Sequence, residues 1–194
     1  MPDEFSDEAA VMVEPTACGV HAALAAEIPN DGVVAVLGSG TLGQVTISAL
    51  RHFTNPKTII STARYPEQKR LAAELGSDIV VNPDEIHRAV RRACGTKAIT
   101  NVSEKGPEGS VDRLTGGADV VIDCVGTSKS ISDALSITKP KGKIILVGMP
   151  SIIELELTPL WHRELQLIGA YTYGTERLAN GEAVNTFDLA FELV

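Results

Sequence analysis

The sequence contains few cysteines, few aromatic residues and no run of basic residues. Its three cysteines, Cys18, Cys94 and Cys124, form no C-x-x-C pair, which argues against a zinc ribbon or a disulfide-stabilised scaffold. Aromatic residues make up 4% of the chain and leave few platforms on which single-stranded nucleic acid could stack. The formal net charge is −8, which disfavours nucleic acid and anionic membranes as partners.

Long hydrophobic segments are also missing. Apolar runs such as 33–37 and 144–147 have the length of strands and are too short to span a bilayer. The acidic N-terminus lacks the hydrophobic core of a signal peptide, so we expect a cytoplasmic protein. With 44% hydrophobic residues, a chain of 194 residues can bury a core, and its length predicts one sizeable domain, or one domain plus a piece of another.

Short β-branched runs alternate with segments of helical spacing, a pattern typical of a parallel α/β sheet. The predicted strands span 33–37, 57–62, 78–81, 118–124, 143–147 and 165–171. The predicted helices span 9–28, 41–53, 66–75, 82–92, 128–138 and 187–194, and the glycine-rich stretch 95–117 is predicted to be mainly loop. The fold class is therefore α/β: a doubly wound, mostly parallel sheet of six strands, of the Rossmann type, preceded by an N-terminal helix.

A glycine-rich motif, G-x-G-x-x-G, spans 38–43, directly after the first predicted strand and at the start of a helix. Such a turn suits a dinucleotide: its first glycine allows the tight turn, its second lets the pyrophosphate approach, and its third allows close packing of helix on strand. Helix N–H groups then face the phosphate charge. An ordinary glycine-rich turn is the alternative. The predicted cofactor contacts here are Gly38, Gly40, Thr41, Leu42 and Gly43.

The end of the second strand bears on which dinucleotide is bound. An NAD site typically has Asp or Glu about 20 residues beyond the glycines, where it holds the ribose 2′-OH. Ala63 and Arg64 occupy this region, and a guanidinium pairs with a 2′-phosphate through forked hydrogen bonds. Ser61, Thr62 and Arg64 therefore favour NADP, with NAD as the alternative cofactor. A solvated Arg64 without a ligand is the competing interpretation.

Two further patterns are not assigned a site. Tyr65 and Lys69 match the Y-x-x-x-K pair of short-chain dehydrogenases, but they follow the second strand, on the adenosine side of a bound dinucleotide, so we interpret the match as a coincidence. The histidines form neither H-x-x-x-H nor H-E-x-x-H, so no local metal site is predicted for His21, His52, His87 and His162.

Several segments follow one another in an order that is informative as a set. They are Glu14-Pro15 with the Cys-Gly-Val-His of 18–21, the glycine loop, and the segments 118–126, 140–150 and 163–171. This series resembles the nucleotide-binding half of the medium-chain, zinc-dependent alcohol dehydrogenase family, in particular its polyol- and threonine-dehydrogenase-like members. The resemblance covers nearly the whole chain and is specific as a set.

The resemblance implies roles for further residues. It makes Glu14 a ligand of the catalytic zinc, although a carboxylate that favours a helix N-terminus is an equally simple explanation. It places residues at the ends of the last three strands around the nicotinamide and its ribose, namely Cys124, Val125, Val147, Gly148, Ala170 and Tyr171. It also divides the chain into a hinge helix (1–28), a dinucleotide-binding domain (29–175) and a C-terminal helix (176–194) that leads back to a catalytic part.

The family's other zinc ligands, a cysteine and a Gly-His-Glu segment, belong to an N-terminal domain that this sequence does not contain. We therefore expect an inactive fragment of an enzyme that transfers hydride between NADP(H) or NAD(H) and an alcohol or carbonyl substrate, assisted by zinc. The alternatives are a non-catalytic dinucleotide-binding regulatory module, a zinc-free quinone-reductase-like member of the same superfamily, and a methyltransferase.

The segment 151–159 bears on assembly. Ile153, Leu155 and Leu157 alternate with two glutamates, which predicts a half-buried strand that ends at Pro159. A strand at the edge of a sheet offers unpaired N–H and C=O groups to another chain. Together with the family resemblance, this predicts a homodimer joined through the edge near Leu155.

Overall fold

The computed structural model describes residues 6–99, 113–178 and 181–194. Its centre is a parallel sheet of six strands: β1 (Val33–Leu37), β2 (Thr58–Thr62), β3 (Ile79–Val81), β6 (Ala118–Asp123), β7 (Thr138–Leu146) and β8 (Gln166–Gly169). Their order across the sheet is β3-β2-β1-β6-β7-β8. Two antiparallel pairs lie outside it, β4 (Ala98–Ile99) with β5 (Arg113–Leu114) and β9 (Thr175–Arg177) with β10 (Ala183–Asn185). The predicted doubly wound fold is confirmed.

Helices cover both faces of the sheet. They are α1 (Asp7–Ala25), α2 (Thr41–Phe53), α3 (Pro66–Glu74), α4 (Ile86–Ala93), α5 (Ser128–Ile137), α6 (Thr158–His162) and α7 (Thr186–Phe191), with a 3-10 turn at Pro83–Glu85. Among the residues described, no helix combines the length and apolar character needed to cross a membrane.

Strand β1 shows why the sheet carries two layers of helices. Its alternate side chains point to opposite faces. Val34 and Val36 join the apolar cluster that includes Leu50 of α2, whereas Ala35 joins the cluster that includes Ile131 of α5. A strand buried on both faces has no polar side, which accounts for its uninterrupted apolar sequence.

Helix α1 packs against α2. Ser6 caps it, since its Oγ accepts a hydrogen bond from the Ala9 N–H at 3.2 Å. Gly19 allows close packing on α2, because a Cβ at this position would lie 2.8 Å from Val45 Cγ2. Near its start, α1 contacts α7 through Val13 and Ala190. The domain boundaries at 28/29 and 175/176 stay predictions.

The strand predicted over 151–159 is wrong. In the described chain, residues 151–157 pair with no strand, and Pro159 stands in the first turn of α6. Proline suits that position because its fixed φ is already helical and its missing N–H is not needed there. Ile153 and Leu155 are half-buried against the sheet cluster, so the alternation reflects a segment lying on the core rather than a hydrogen-bonded ladder.

Three other predictions need correction. Within 95–117, residues 100–112 lie outside the described part, but β4 and β5 form a short antiparallel pair where only loop was expected. Strand β7 begins at Thr138, five residues before the predicted start: Thr138 pairs with Ala118 of β6, and a register shift precedes the pair of Lys143 with Val120. The last segment was predicted to be helical only, yet the β9–β10 pair precedes α7.

Candidate functional site

The three motif glycines have different surroundings. Gly38 has φ +88°, a conformation that L side chains rarely adopt, and a Cβ there would lie 2.5 Å from Val125 Cγ2. A Cβ at Gly43 would lie 1.9 Å from the carbonyl oxygen of Gly38. A Cβ at Gly40 would have nothing within 4 Å, so this position faces open space. Two of the glycines serve the turn itself, and one leaves room for a ligand.

The loop lies at the carboxyl end of β1, where β1 and β6 are neighbours and the strand order reverses. Open α/β sheets bind ligands at such a point. Gly40 is the N-cap of α2 and supplies no capping side chain, and the first turn of α2 contains no acidic residue. The first N–H groups of a helix have no partner within it, so they attract an anion. Thr41, Leu42 and Gly43 provide this turn.

Strand β2 fixes the loop through Thr62. The Gly38 N–H donates to Thr62 Oγ1 at 2.8 Å, and Ser39 Oγ donates to the Thr62 carbonyl oxygen at 2.9 Å. The neighbouring Ser61 is buried and pairs its hydroxyl with that of Ser77 at 2.8 Å. The Thr62 hydroxyl is thus an internal partner of the glycine loop, and Ser61 does not line the cleft described next.

A cleft of about 340 Å³ opens beside the loop. Its walls come from the glycine loop, the segment after β2, the turn before α4, and the start of α5. Of the predicted cofactor contacts, those that line it are Gly38, Gly40, Thr62, Arg64 and Val125. This cleft lies on the β2 side of the switch point, where the adenosine half of a dinucleotide is expected.

Arg64 is exposed, and among the described residues it has no hydrogen-bond or ion-pair partner. Its guanidinium therefore lies beside the cleft without a described carboxylate paired to it. Tyr65 also lines the cleft, but Lys69 lies outside the lining and donates to Asn82 Oδ1 at 2.8 Å. The Tyr65 and Lys69 side chains thus do not meet in one site in the cleft.

Sequence reasoning missed Asp123, a fully buried carboxyl at the end of β6. Its Oδ1 accepts hydrogen bonds from the N–H groups of Val125 at 2.9 Å and Gly126 at 3.3 Å, and Oδ2 accepts one from Ser130 Oγ at 2.9 Å. Burial raises the pKa of the Asp123 carboxyl above its ordinary value, and these hydrogen bonds oppose the rise. An acidic residue within an otherwise apolar run was the available signal.

The backbone of Asp123 also joins β6 to β7. Its carbonyl oxygen accepts hydrogen bonds from Val147 N–H at 2.9 Å and from Gly148 N–H at 2.8 Å. Gly148 lies so close to the turn after β6 that an added Cβ would approach the Gly126 nitrogen to 2.5 Å. The loops after β6 and β7 are therefore held together as one surface.

The remaining predicted cofactor residues lie at the same sheet edge. Cys124 is half-buried, its Sγ is 3.9 Å from Thr46 Oγ1, and burial raises the pKa of its thiol to about 12. The thiol is therefore neutral at physiological pH and is a poor nucleophile. Ala170 follows β8 and donates its N–H to the Leu146 carbonyl at 2.9 Å, and Tyr171 beside it is 86% exposed.

Glu14 lies on the exposed side of α1, well inside the helix, whose first turn holds Asp7 and Glu8 instead. The interpretation of Glu14 as an N-terminal carboxylate is therefore wrong. Cys18 Sγ donates to Glu14 Oε1 at 3.7 Å, and burial together with the Glu14 carboxylate raises the pKa of the Cys18 thiol to about 11.

A zinc site does not fit the described residues by themselves. No group of three or more His, Cys, Asp or Glu side chains within 6–99, 113–178 and 181–194 is placed to hold a metal ion. Three of the histidines each face one carboxylate: His21 faces Glu176 at 2.7 Å, His52 faces Glu192 at 3.4 Å, and His87 faces Asp133 at 3.1 Å. The role of Glu14 as a zinc ligand stays a prediction.

Comparison with known proteins agrees with this geometry. The family model described as zinc-binding dehydrogenase matches residues 41–187. A sorbitol dehydrogenase from Arabidopsis thaliana is 34% identical over 178 residues, and an L-idonate 5-dehydrogenase from Vitis vinifera is 31% identical over 176 residues. Both alignments cover 89% of this chain and 44% of the relative, so the chain spans about half the length of these proteins.

A solved structure from Sinorhizobium meliloti 1021, described as a zinc-binding dehydrogenase bound to NADP, superposes with a TM-score of 0.69 and 26% identity. The superposition covers 89% of this chain and 46% of that one. The family match extends from the start of α2 into α7, which argues against the methyltransferase alternative. The chain belongs to the medium-chain, zinc-dependent alcohol dehydrogenase family.

Proposed function

We propose that this chain is the dinucleotide-binding part of an oxidoreductase that transfers hydride between NADP(H) and a small alcohol or its carbonyl product. The observation that carries the proposal is the open position at Gly40, at the switch point of the sheet and beside the cleft. The sorbitol and L-idonate dehydrogenases among the relatives favour a polyol or a sugar acid as substrate.

The residues of the chain position the cofactor, which when bound supplies or accepts the hydride. The N–H groups at the start of α2 hold the pyrophosphate, and Gly40 lets it approach the backbone. The family resemblance places Val125 at the nicotinamide half, but its side chain is 42% exposed and lines the cleft, so in this proposal it contacts the adenosine half instead. Val147, Gly148, Ala170 and Tyr171, with Cys124, face the nicotinamide half. Asp123 fixes the loops on which several of these residues stand.

Arg64 selects NADP over NAD in this proposal. A charge-assisted hydrogen bond contributes about 1.5–3 kcal/mol, which is roughly ten- to a hundredfold in affinity. We expect NADPH to bind at least tenfold more tightly than NADH, as measured by calorimetry or nucleotide fluorescence. Arg64→Ala should remove most of this difference by weakening NADPH alone, because NADH has no 2′-phosphate to lose.

Arg92→Ala is the matched control, since Arg92 is an exposed arginine on α4 outside the cleft lining. It should leave both affinities unchanged. Equal binding of NADPH and NADH by the parent chain, or an Arg64→Ala variant that keeps the full preference, would contradict the role of Arg64.

A non-catalytic dinucleotide-binding module is the second candidate. The absence of a three-ligand metal group among the described residues favours it for this chain acting alone. The two candidates share the same cofactor site and differ only in whether another polypeptide segment completes the metal site.

Pairing of two copies through the β8 edge near Leu155 is part of the proposal. β8 is the last strand of the sheet, so one of its edges has no partner within the described chain. Exposed apolar side chains lie on β8 and in the segments that precede it in the chain: Leu167 is 38% exposed, Trp161 80% and Ile152 100%. A two-fold contact here would cover the same apolar side chains on both copies.

Light scattering after size exclusion tests this pairing. At tens of micromolar we expect a mass of twice the 20.5 kDa chain. Leu167→Lys should shift the chain to monomer, because a buried, unpaired ammonium is costly at such an interface. Leu71→Lys is the matched control, since Leu71 on α3 is 37% exposed and lies away from β8. A monomeric parent, or equal effects of both variants, would count against the dimer.

A further inference from the structure

One wall of the cleft contains a carboxylate that the proposed function does not use. Asp133 lines the cleft from the second turn of α5, on the same helical face as Lys129 and Ser130. Its side chain is only 8% exposed. Pro83 and Ile86 line the same cleft from the start of the α4 segment and supply apolar surface.

Two donors hold the Asp133 carboxylate in place. Lys129 Nζ lies 3.0 Å from Oδ2, and His87 Nε2 lies 3.1 Å from Oδ1. Each carboxylate oxygen can accept two hydrogen bonds. Lys129 Nζ also lies 3.4 Å from Oδ1, so Oδ1 meets two donors and Oδ2 meets one. These contacts fix the orientation of the group, and Oδ2 keeps acceptor capacity for a ligand in the cleft.

A flat base suits these surroundings better than a sugar or a phosphate does. Its faces can pack against apolar side chains such as Ile86 and Val125, both of which line the cleft. Its edge then meets the carboxylate, which repels a phosphate and attracts an N–H donor. Adenine carries such a donor in its exocyclic amino group, whereas hypoxanthine has a carbonyl oxygen in the same place.

We propose that Asp133 determines the specificity for the base by accepting a hydrogen bond from the adenine amino group. This inference rests on the proposed function, since it requires the adenosine half of the dinucleotide to occupy the cleft. A site built around a buried carboxylate rejects an analogue whose base lacks the N–H donor, because the carboxylate then faces the carbonyl oxygen of the base and no hydrogen bond forms.

The test compares NADPH with deamino-NADPH, in which hypoxanthine replaces adenine, by titrating each into the 194-residue chain. We expect the parent to bind NADPH roughly tenfold more tightly, the lower end of what a hydrogen bond to a charged group contributes. Asp133→Asn should reduce the ratio to about twofold or less, because its amide can donate to the hypoxanthine oxygen. Asp188→Asn makes the same change at an exposed carboxylate on α7, outside the cleft lining, and should keep the preference.

The outcomes separate the inference from the proposed function. Equal binding of both dinucleotides by the parent would overturn the role of Asp133 while leaving the dinucleotide site intact, and this result needs no variant. An Asp133→Asn chain that stays folded by circular dichroism and retains the tenfold ratio would also overturn it. Binding of neither dinucleotide would overturn the proposed function and this inference with it.

Discussion

Replacing Gly43 by alanine is expected to destabilise the chain by about 3 kcal/mol or more, the upper end of overpacking costs. The added Cβ would lie 1.9 Å from the Gly38 carbonyl oxygen, and both atoms belong to the turn that joins β1 to α2. Neither can move without shifting the helix relative to the sheet. For a chain of this size the loss corresponds to a fall in Tm of about 10 °C, measurable by calorimetry.

The same substitution at Gly40 is expected to separate binding from folding. A Cβ there meets nothing within 4 Å, so Gly40→Ala should change the unfolding free energy by about 1 kcal/mol or less, chiefly through its N-cap position. The methyl group would occupy the space through which the pyrophosphate approaches, and NADPH affinity should fall at least tenfold. Gly174→Ala is the control, since its Cβ also meets nothing and Gly174 lies outside the cleft lining.

Two results would contradict this account of the loop. One is a Gly43→Ala chain as stable as the parent, which would mean that the turn does not fix the approach of α2 to β1. The other is a folded Gly40→Ala chain with the parent's affinity for NADPH, which would place the dinucleotide away from the glycine loop.

The second large effect is a complete absence of alcohol oxidation by the 194-residue chain, even with zinc and NADP⁺ added. Catalytic zinc sites use three protein ligands and leave one position open. Within the described residues no group of three or more His, Cys, Asp or Glu side chains is placed to hold a metal ion, so Glu14 and the neighbouring Cys18 thiol do not complete such a set.

Calorimetry with Zn²⁺ and an assay of NADPH formation with sorbitol check this expectation together. We expect that zinc does not bind stoichiometrically, so that Glu14→Gln leaves the titration unchanged. We also expect that NADPH does not form when zinc is added. Measurable turnover that depends on zinc and is lost in Glu14→Gln would show that the chain holds a complete catalytic metal site.

The sequence predicts the central sheet well because the evidence for it is local. The run Val33–Leu37, the glycines at 38–43 and the apolar spacing of α2 each specify one element, and their order specifies a strand, a turn and a helix. Gly38 follows β1 and Arg64 follows β2, and both line one cleft at the carboxyl ends of these neighbouring strands. The order of the strands, turns and helices along the chain is therefore enough to predict the sheet and this part of the site.

The errors arise where distant partners decide the outcome. The period of two over 151–159 matches the burial of Ile153 and Leu155, yet no strand of the residues that the structure describes pairs with this segment. The hydroxyls of Ser61 and Thr62 are bound by Ser77 and by the Gly38 N–H, through contacts that the sequence does not show, and a cofactor role for either residue stays a prediction. The role of Asp123 cannot be predicted from its strand alone, because a buried carboxyl in an apolar run is explained only by the N–H groups that donate to it.

The most direct test of the central claim is a calorimetric titration of the folded 194-residue chain with NADPH, with Gly40→Ala as the reference. We expect one dinucleotide per chain, and a loss of at least tenfold in affinity in the variant while its circular dichroism spectrum stays that of the parent. A folded parent chain that binds neither NADPH nor NADH at millimolar concentration would contradict the assignment of the cleft and the glycine loop to a dinucleotide.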